Sequence, residues 1–301
     1  MNIIIFGAGA IGSLFGALLN RNNDVTLIGR PYHINVIKKN GLKIEGKTKL
    51  CLNMVAMENI KQLEKTPDLL ILTVKSYDTT QASKSIKKLV DKNTIVLTLQ
   101  NGLDNIDKIE KFIDRDQILA GVTTQGAYLS KPGVVRHTGL GKTTIGELNG
   151  EESERLKNII RIFNESFIET VHSENITRDI WIKAIINSCI NPITTIFRCK
   201  NGYLQKNPIL NNIVRKIIDE STNVANKHGM NISKKFVLDK TKKVVKSTEK
   251  NYSSMLQSFN KGQKTEIDSI NKKIVEIGKF YSIDVSLNEL MVDIIESLTL
   301  N

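Results

Sequence analysis

Several things that would decide a protein's class at once are scarce or missing here. The chain has three cysteines, Cys51, Cys189 and Cys199, in 301 residues. Their number is odd and their spacing matches no metal-ligand pattern, so a reduced, cytoplasmic setting is expected. Four histidines (His33, His137, His172, His228) are scattered, none four residues from another, and no metal site is expected. Aromatic residues make up 5% of the chain, with Trp181 the single tryptophan. The formal net charge is +12, but the lysines are interleaved with acids along the whole length. No basic block, stacking set or recognition motif accompanies them, so nucleic acid is not an expected partner. A positive surface suits anionic small molecules instead. No stretch is long and apolar enough to span a bilayer, so no membrane is expected either. The first nineteen residues, MNIIIFGAGAIGSLFGALL, are uncharged, yet they lack the basic start of a signal peptide and carry regularly placed glycines.

What remains is an ordinary soluble composition, 40% apolar and 25% charged, long enough for one large domain or two ordinary ones. The opening residues read as strand, turn and helix. Ile3 to Phe6 form a short apolar run, as in a buried parallel strand. Gly7-Ala8-Gly9-Ala10-Ile11-Gly12 follows as G-x-G-x-x-G, and Ser13 to Leu19 reads as helix. The first glycine permits the tight turn, the second lets backbone approach a pyrophosphate, and the third allows helix and strand to pack closely. That context points to a dinucleotide site. The next strand, Asp24 to Ile28, ends in Gly29-Arg30, where an NAD enzyme carries an acid for the ribose hydroxyl. An arginine there favours a 2′-phosphate, hence NADP(H). Strands over Asp68–Val74 and Thr94–Leu99 end in Lys75 and Gln100-Asn101-Gly102. Ligands gather at the carboxyl ends of such strands, so Gly7, Arg30, Lys75 and Asn101 are expected in one crevice.

Hairpins are expected over Gly41–Ala56 and Gly133–Glu147, the second closing the first domain. Its GLGKTT resembles the tail of a P-loop, but the required first glycine falls at Arg136, and strand-like residues follow where a helix is needed. Glu151 to Phe167 reads as an amphipathic helix, and beyond about His172 the pattern is helical throughout. In Trp181–Pro192 (WIKAIINSCINP), Lys183, Asn187 and Asn191 stand four apart, spread over roughly 80° of one helix face. Ile182, Ile185, Ile186, Cys189 and Ile190 fall opposite. One ammonium and two carboxamides in a row can hold and protonate a small oxygen-rich molecule; a solvated surface face is the plainer reading. Farther on, Ile267, Ile270, Ile274 and Ile277 form a core stripe. Spacing alone makes Thr265 and Asp268 a capping pair and Glu266 a first-turn acid.

FGAGAIG, VKSYDT, LQNG, WIKAIINSCINPITTIFRCKNGYL and NYSSMLQSFNKGQKTEIDSIN together resemble the ketopantoate reductase (2-dehydropantoate 2-reductase) family, nearly end to end. The last two are the specific pieces. The resemblance implies an α/β protein: an N-terminal Rossmann-type parallel-sheet domain binding NADP(H), residues 1–171, and an all-helical substrate domain, residues 172–301, with the active site in the cleft between them. It implies reduction of ketopantoate to (R)-pantoate, a precursor of pantothenate and coenzyme A, with NADPH as hydride source. Lys183 matches the general acid and Glu266 a catalytic carboxylate. Asn101, Lys183, Asn187, Asn191, Asn201, Asn251 and Ser254 match substrate-binding positions. Gly7, Ala8, Gly9, Ala10, Ile11, Gly12, Arg30, Lys75, Asn101, Ala127 and Glu266 match the cofactor side. Glu266 either orients the substrate hydroxyl or holds the lysine. INKK at Ile270–Lys273 departs from the I-N-G common among relatives and leaves the named residues intact. A reductase of another 2-keto acid is the near alternative. A non-catalytic NADP(H)-binding regulator is the distant one, since a sensor needs no proton donor. A small-molecule substrate is the expected partner, and a homodimer is compatible with the sequence.

Overall fold

The protein, seen in a computed structural model, is described over residues 1–63 and 65–299. It divides into two compact units, Met1–Gln100 with Asn105–Ile176, and Asn101–Asp104 with Thr177–Asn301.

Among the described residues, twelve strands build the first unit. They are β1 (Asn2–Phe6), β2 (Asp24–Ile28), β3 (Leu42–Gly46), β4 (Leu50–Leu52), β5 (Val55–Met57) and β6 (Leu69–Leu72), then β7 (Ile95–Thr98), β8 (Ile118–Thr123), β9 (Gly126–Lys131), β10 (Val134–Gly139), β11 (Thr143–Glu147) and β12 (Thr170–His172). Five helices accompany them: α1 (Ala10–Leu19), α2 (Pro31–Asn40), α3 (Thr79–Ile86), α4 (Asn105–Glu110) and α5 (Glu154–Glu165). The main sheet runs β12-β11-β8-β7-β6-β1-β2-β5, and its six strands from β8 to β5 are all parallel. Numbered among themselves, those six give the doubly wound order of a Rossmann-type sheet, which reverses between β1 and β6. Successive residues of β1 serve different cores: Ile3 and Ile5 pack with Phe15 and Leu18 of α1, and Ile4 with Ile86 of α3 and Ile109 of α4. A strand covered on both faces has no polar side to show, hence the unbroken Ile3-Ile4-Ile5.

The second sheet, β4-β3-β10-β9, lies against α1. Leu42–Gly46 and Leu50–Leu52 form the expected hairpin. Gly133–Glu147 does not: β10 pairs with β9 and β3, whereas β11 runs antiparallel to β8 in the main sheet. Both halves alternate as hairpin strands would, but alternation does not say which open edge takes each strand.

The second unit is helical: α6 (Ile176–Ile196), α7 (Tyr203–Lys206), α8 (Pro208–Lys227), α9 (Lys234–Ser247), α10 (Ser254–Phe259), α11 (Lys273–Phe280) and α12 (Ser286–Thr299). Its starts follow capping chemistry. Asn207 accepts from Ile209 and Leu210 with Pro208 at the first helical position, and Ser233 and Ser253 each accept from the N–H three residues on. The core gathers Ile182, Ile185, Cys189 and Ile193 of α6 with Ile217 of α8, Val237 of α9 and Ile274 of α11. Among the described residues, no helix is long and apolar enough to cross a membrane.

Candidate active site

In the first unit the glycine turn closes β1 onto α1 at the sheet's reversal point. Gly7 has φ +116°, and a Cβ there would lie 2.5 Å from the backbone nitrogen of Val74. A Cβ at Gly12 would lie 2.3 Å from the Gly7 carbonyl oxygen and 2.5 Å from Thr73 Oγ1. Protein packing therefore accounts for both glycines. It does not account for Gly9, where a Cβ would meet nothing nearer than the Gly7 oxygen at 3.9 Å. Gly9 is exposed, and it begins α1 with no side-chain cap and no acid in the first turn. The N–H groups of that turn are left for an anion, and the absent side chain leaves room for it to approach. Ala8 is buried, Ala10 and Ile11 are half-buried, and Thr73 Oγ1 donates to the Gly7 oxygen at 2.8 Å. These residues fit the pyrophosphate of a dinucleotide.

Beyond β2, a Cβ on Gly29 would lie 2.8 Å from that of Ala8, so a side chain at that position would crowd the glycine turn. Arg30 starts α2 and pairs with Asp78 at 3.3 Å, both side chains largely exposed. Lys75 starts the short turn Ser76–Asp78. Behind it, Gln100 at the end of β7 donates to the Val74 carbonyl at 2.9 Å and to Thr79 Oγ1 at 2.7 Å, and Thr79 donates to Asn105 at 2.8 Å. Ala127 sits in β9, opposite His137, and packs on the first unit's core.

In the second unit α6 is apolar on more than one face. Trp181, Ile182, Ala184, Ile185, Ile186, Ser188, Cys189 and Ile190 are all buried. The row Lys183, Asn187, Asn191 is not a solvated face either, since Asn191 is buried and the other two are half-buried. Burial pushes the Lys183 ammonium down from 10.5 to about 8, with the attraction of the Glu266 carboxylate working against that fall.

Glu266 is only 7% exposed and accepts from Asn101 Nδ2 at 3.3 Å. Just after it, Asp268–Lys272 forms one π-helical turn that runs into α11. That turn starts at Ile267 with no side-chain cap, so the capping pair read for Thr265 and Asp268 is not formed. The wider turn replaces a capped α-helical start, and Glu266 precedes it as a buried acid. Leu103 N–H donates to the Ser269 carbonyl at 2.9 Å, tying the Asn101–Asp104 segment to the same turn.

Asn201 and Asn251 come together: the Asn201 N–H donates to the Asn251 carbonyl at 3.0 Å. Asn201 Nδ2 donates to Thr248 Oγ1 at 2.9 Å, while its Oδ1 is buried without a partner. An unsatisfied acceptor beside α6 is where a donor from a ligand is wanted. Ser254 is exposed in the first turn of α10, whose cap, Ser253, receives a hydrogen bond from Thr194 Oγ1 of α6 at 2.8 Å. Within this unit the structure thus brings together Lys183, Glu266 and Asn101, and separately Asn201 with Asn251. The supporting hydrogen bond from Thr194 to Ser253 was not read from the sequence. Thr194 and Thr195 continue the polar row of α6 by one more turn, and that was the one available signal.

Comparison with known proteins follows the same division. The family model "Ketopantoate reductase PanE/ApbA" matches residues 3–150, and "Ketopantoate reductase PanE/ApbA C terminal" matches residues 175–299. The 2-dehydropantoate 2-reductase of Pyrococcus horikoshii is 44% identical over 294 residues, 97% of this chain and 95% of that one. Its counterpart from Pyrococcus abyssi is 41% identical over 292 residues, with the same two coverages. Among solved structures, D-mandelate dehydrogenase with NADH and anilino(oxo)acetate superposes with a TM-score of 0.95 at 29% identity, covering 99% of this chain and 98% of that one. A PanE/ApbA family ketopantoate reductase from Ralstonia eutropha gives 0.91 at 27% identity, with the same coverages.

Proposed function

Since the chain belongs to the ketopantoate reductase family, we propose that it reduces 2-dehydropantoate to (R)-pantoate, with NADPH as hydride source and Lys183 as general acid. When bound, the reduced nicotinamide supplies the hydride that the ketone carbon receives. The carbonyl oxygen then gains negative charge, which a nearby ammonium stabilises before giving up its proton. The ketone thus takes up one hydride and one proton and becomes a secondary alcohol.

The observation that carries this reading is the state of Lys183. At about 8, its pKa leaves the Nζ charged at neutral pH, yet closer to releasing a proton than an exposed lysine is. The Glu266 carboxylate opposes the fall that burial causes. The carboxamides of Asn187, Asn191, Asn201 and Asn251 and the Ser254 hydroxyl suit the substrate's carboxylate and hydroxyl. Being neutral, they add no charge that would shift the lysine further. Asn101, which donates to Glu266, is shared between substrate and cofactor sides. The glycine turn, Lys75 and Ala127 serve the cofactor, and Arg30 takes the 2′-phosphate.

The likeness to an NADH-bound mandelate dehydrogenase supports a second reading: NADH with a 2-keto acid bearing a bulkier side chain. A panel of 2-keto acids that includes 2-dehydropantoate and phenylglyoxylate, each with NADPH and NADH, separates the two. Oxidation of the nicotinamide is followed by its near-ultraviolet absorbance. The proposal expects the highest kcat/KM for 2-dehydropantoate with NADPH. No turnover of that substrate with either nucleotide overturns it.

A further inference from the structure

A proline interrupts the helix that carries the general acid. Pro192 lies inside α6 and has no N–H, so the carbonyl four residues back, that of Ser188, loses its partner within the helix. Asn271 supplies the replacement: its Nδ2 donates to the Ser188 oxygen at 2.9 Å and to Asn288 Oδ1 at 3.1 Å. Both asparagines are fully buried.

The direction of these bonds is fixed from one end. Glu220 of α8 accepts from the backbone N–H groups of Leu287 and Asn288 at 2.9 and 3.1 Å, and from Asn288 Nδ2 at 2.9 Å. A carboxylate only accepts, so the Asn288 amide must turn its nitrogen to Glu220 and its oxygen to Asn271. Asn271 must then donate with both protons, one of them to α6. Its own oxygen is buried without a side-chain or backbone partner.

Asn271 lies in the π-helical turn Asp268–Lys272, two residues beyond which, toward the N-terminus, stands Glu266. We propose that Asn271 is a positioning residue: its hydrogen bond to the Ser188 carbonyl ties the turn that follows Glu266 to the helix that carries Lys183, its second, to Asn288, fixes the direction of the amide, and together they set the geometry of the Lys183–Glu266 pair. The kinetic arm of the test rests on the reductase reading above; the titration arm does not.

The test uses the full chain as Asn271→Ala, as Pro192→Ala and as the double variant. It measures melting temperature, kcat for 2-dehydropantoate, and the titration of Lys183 by carbon NMR of labelled lysine, assigned through Lys183→Met. Asn271→Ala is expected to lower kcat by about tenfold to a hundredfold, the range for a small misplacement at a reacting centre. With the pair loosened and water admitted, Lys183 should titrate closer to an ordinary lysine. Adding Pro192→Ala returns an N–H to the Ser188 carbonyl and recovers melting temperature. It should leave kcat and titration displaced, because the new bond lies within α6 and does not reach the turn. If the double variant regains all three, Asn271 merely fills the gap left by the proline and the proposal fails. It fails equally if Asn271→Ala keeps the unaltered kcat and titration. Should the unaltered protein not reduce 2-dehydropantoate, the reductase reading is lost, and the Lys183 titration alone decides the role of Asn271.

Discussion

A lysine ammonium is a poor acid when exposed, and what burial does to Lys183 sets its predicted behaviour. In the direction of reduction the proton donor must be charged, so the rate should fall as pH rises through about 8. Lys183→Ala should lower kcat by about a hundredfold or more and lose that alkaline limb, with nucleotide affinity spared because the glycine turn belongs to the other unit. A folded Lys183→Ala protein that keeps both its rate and its pH profile would remove Lys183 from the chemistry. At Arg30 the outcome turns on an exposed ion pair with Asp78, which contributes little and is readily exchanged for a phosphate. Arg30→Asp should reverse or abolish a preference for NADPH over NADH. Asp78→Asn should keep the preference and leave melting unchanged. Equal kcat/KM for the two nucleotides in the unaltered protein would show that Arg30 does not read the 2′-phosphate.

At the scale of an element, the glycine turn separates packing from binding. Gly12→Ala drives a Cβ into the Gly7 carbonyl at 2.3 Å and should destabilise by about 2 kcal/mol or more. Gly9→Ala meets no protein atom closer than 3.9 Å, so melting should shift little. Nucleotide affinity should nonetheless fall about tenfold or more, the equivalent of about 1.4 kcal/mol, because the methyl occupies the approach to the helix N-terminus. A Gly9→Ala protein that binds nucleotide normally would place the pyrophosphate elsewhere. This turn was legible in the sequence because its rule is local: strand, three glycines, helix. That Lys183, Asn187 and Asn191 share one face of α6 was legible for the same reason, since a spacing of four needs no tertiary knowledge, but spacing alone favoured a solvated face and the burial of that face was not legible. The fates of β10 and β11 were not, because two alternating segments look alike whichever sheet edge receives them. Nor was the π-helical turn after Glu266. Asn271 within it meets the Ser188 carbonyl, 83 residues away in sequence, and nothing local announces a partner at that distance.

For the molecule as a whole, the same lysine that suits the chemistry works against folding. Its pKa is about 8 in the folded chain against 10.5 for a free lysine side chain. Between those two values the unfolded chain holds a proton that the folded chain has released, so stability rises with pH across that window. Below pH 8 both states are protonated and the folded one carries the full penalty of a buried ammonium, relieved only in part by Glu266. Replacing Lys183 with methionine keeps the length of the side chain and removes the charge. Lys183→Met should therefore be more stable than the unaltered protein at pH 7, by roughly 1–3 kcal/mol, and inactive as a reductase. The gain should shrink as pH climbs from 8 toward 10.5, because the unaltered chain sheds its penalty there and the methionine variant has none to shed. Denaturant unfolding of both proteins at pH 7 and at pH 10 measures the difference directly. A methionine variant that is less stable at pH 7, or whose advantage does not depend on pH, would mean that the ammonium is well solvated, and the argument for Lys183 as a tuned acid would go with it.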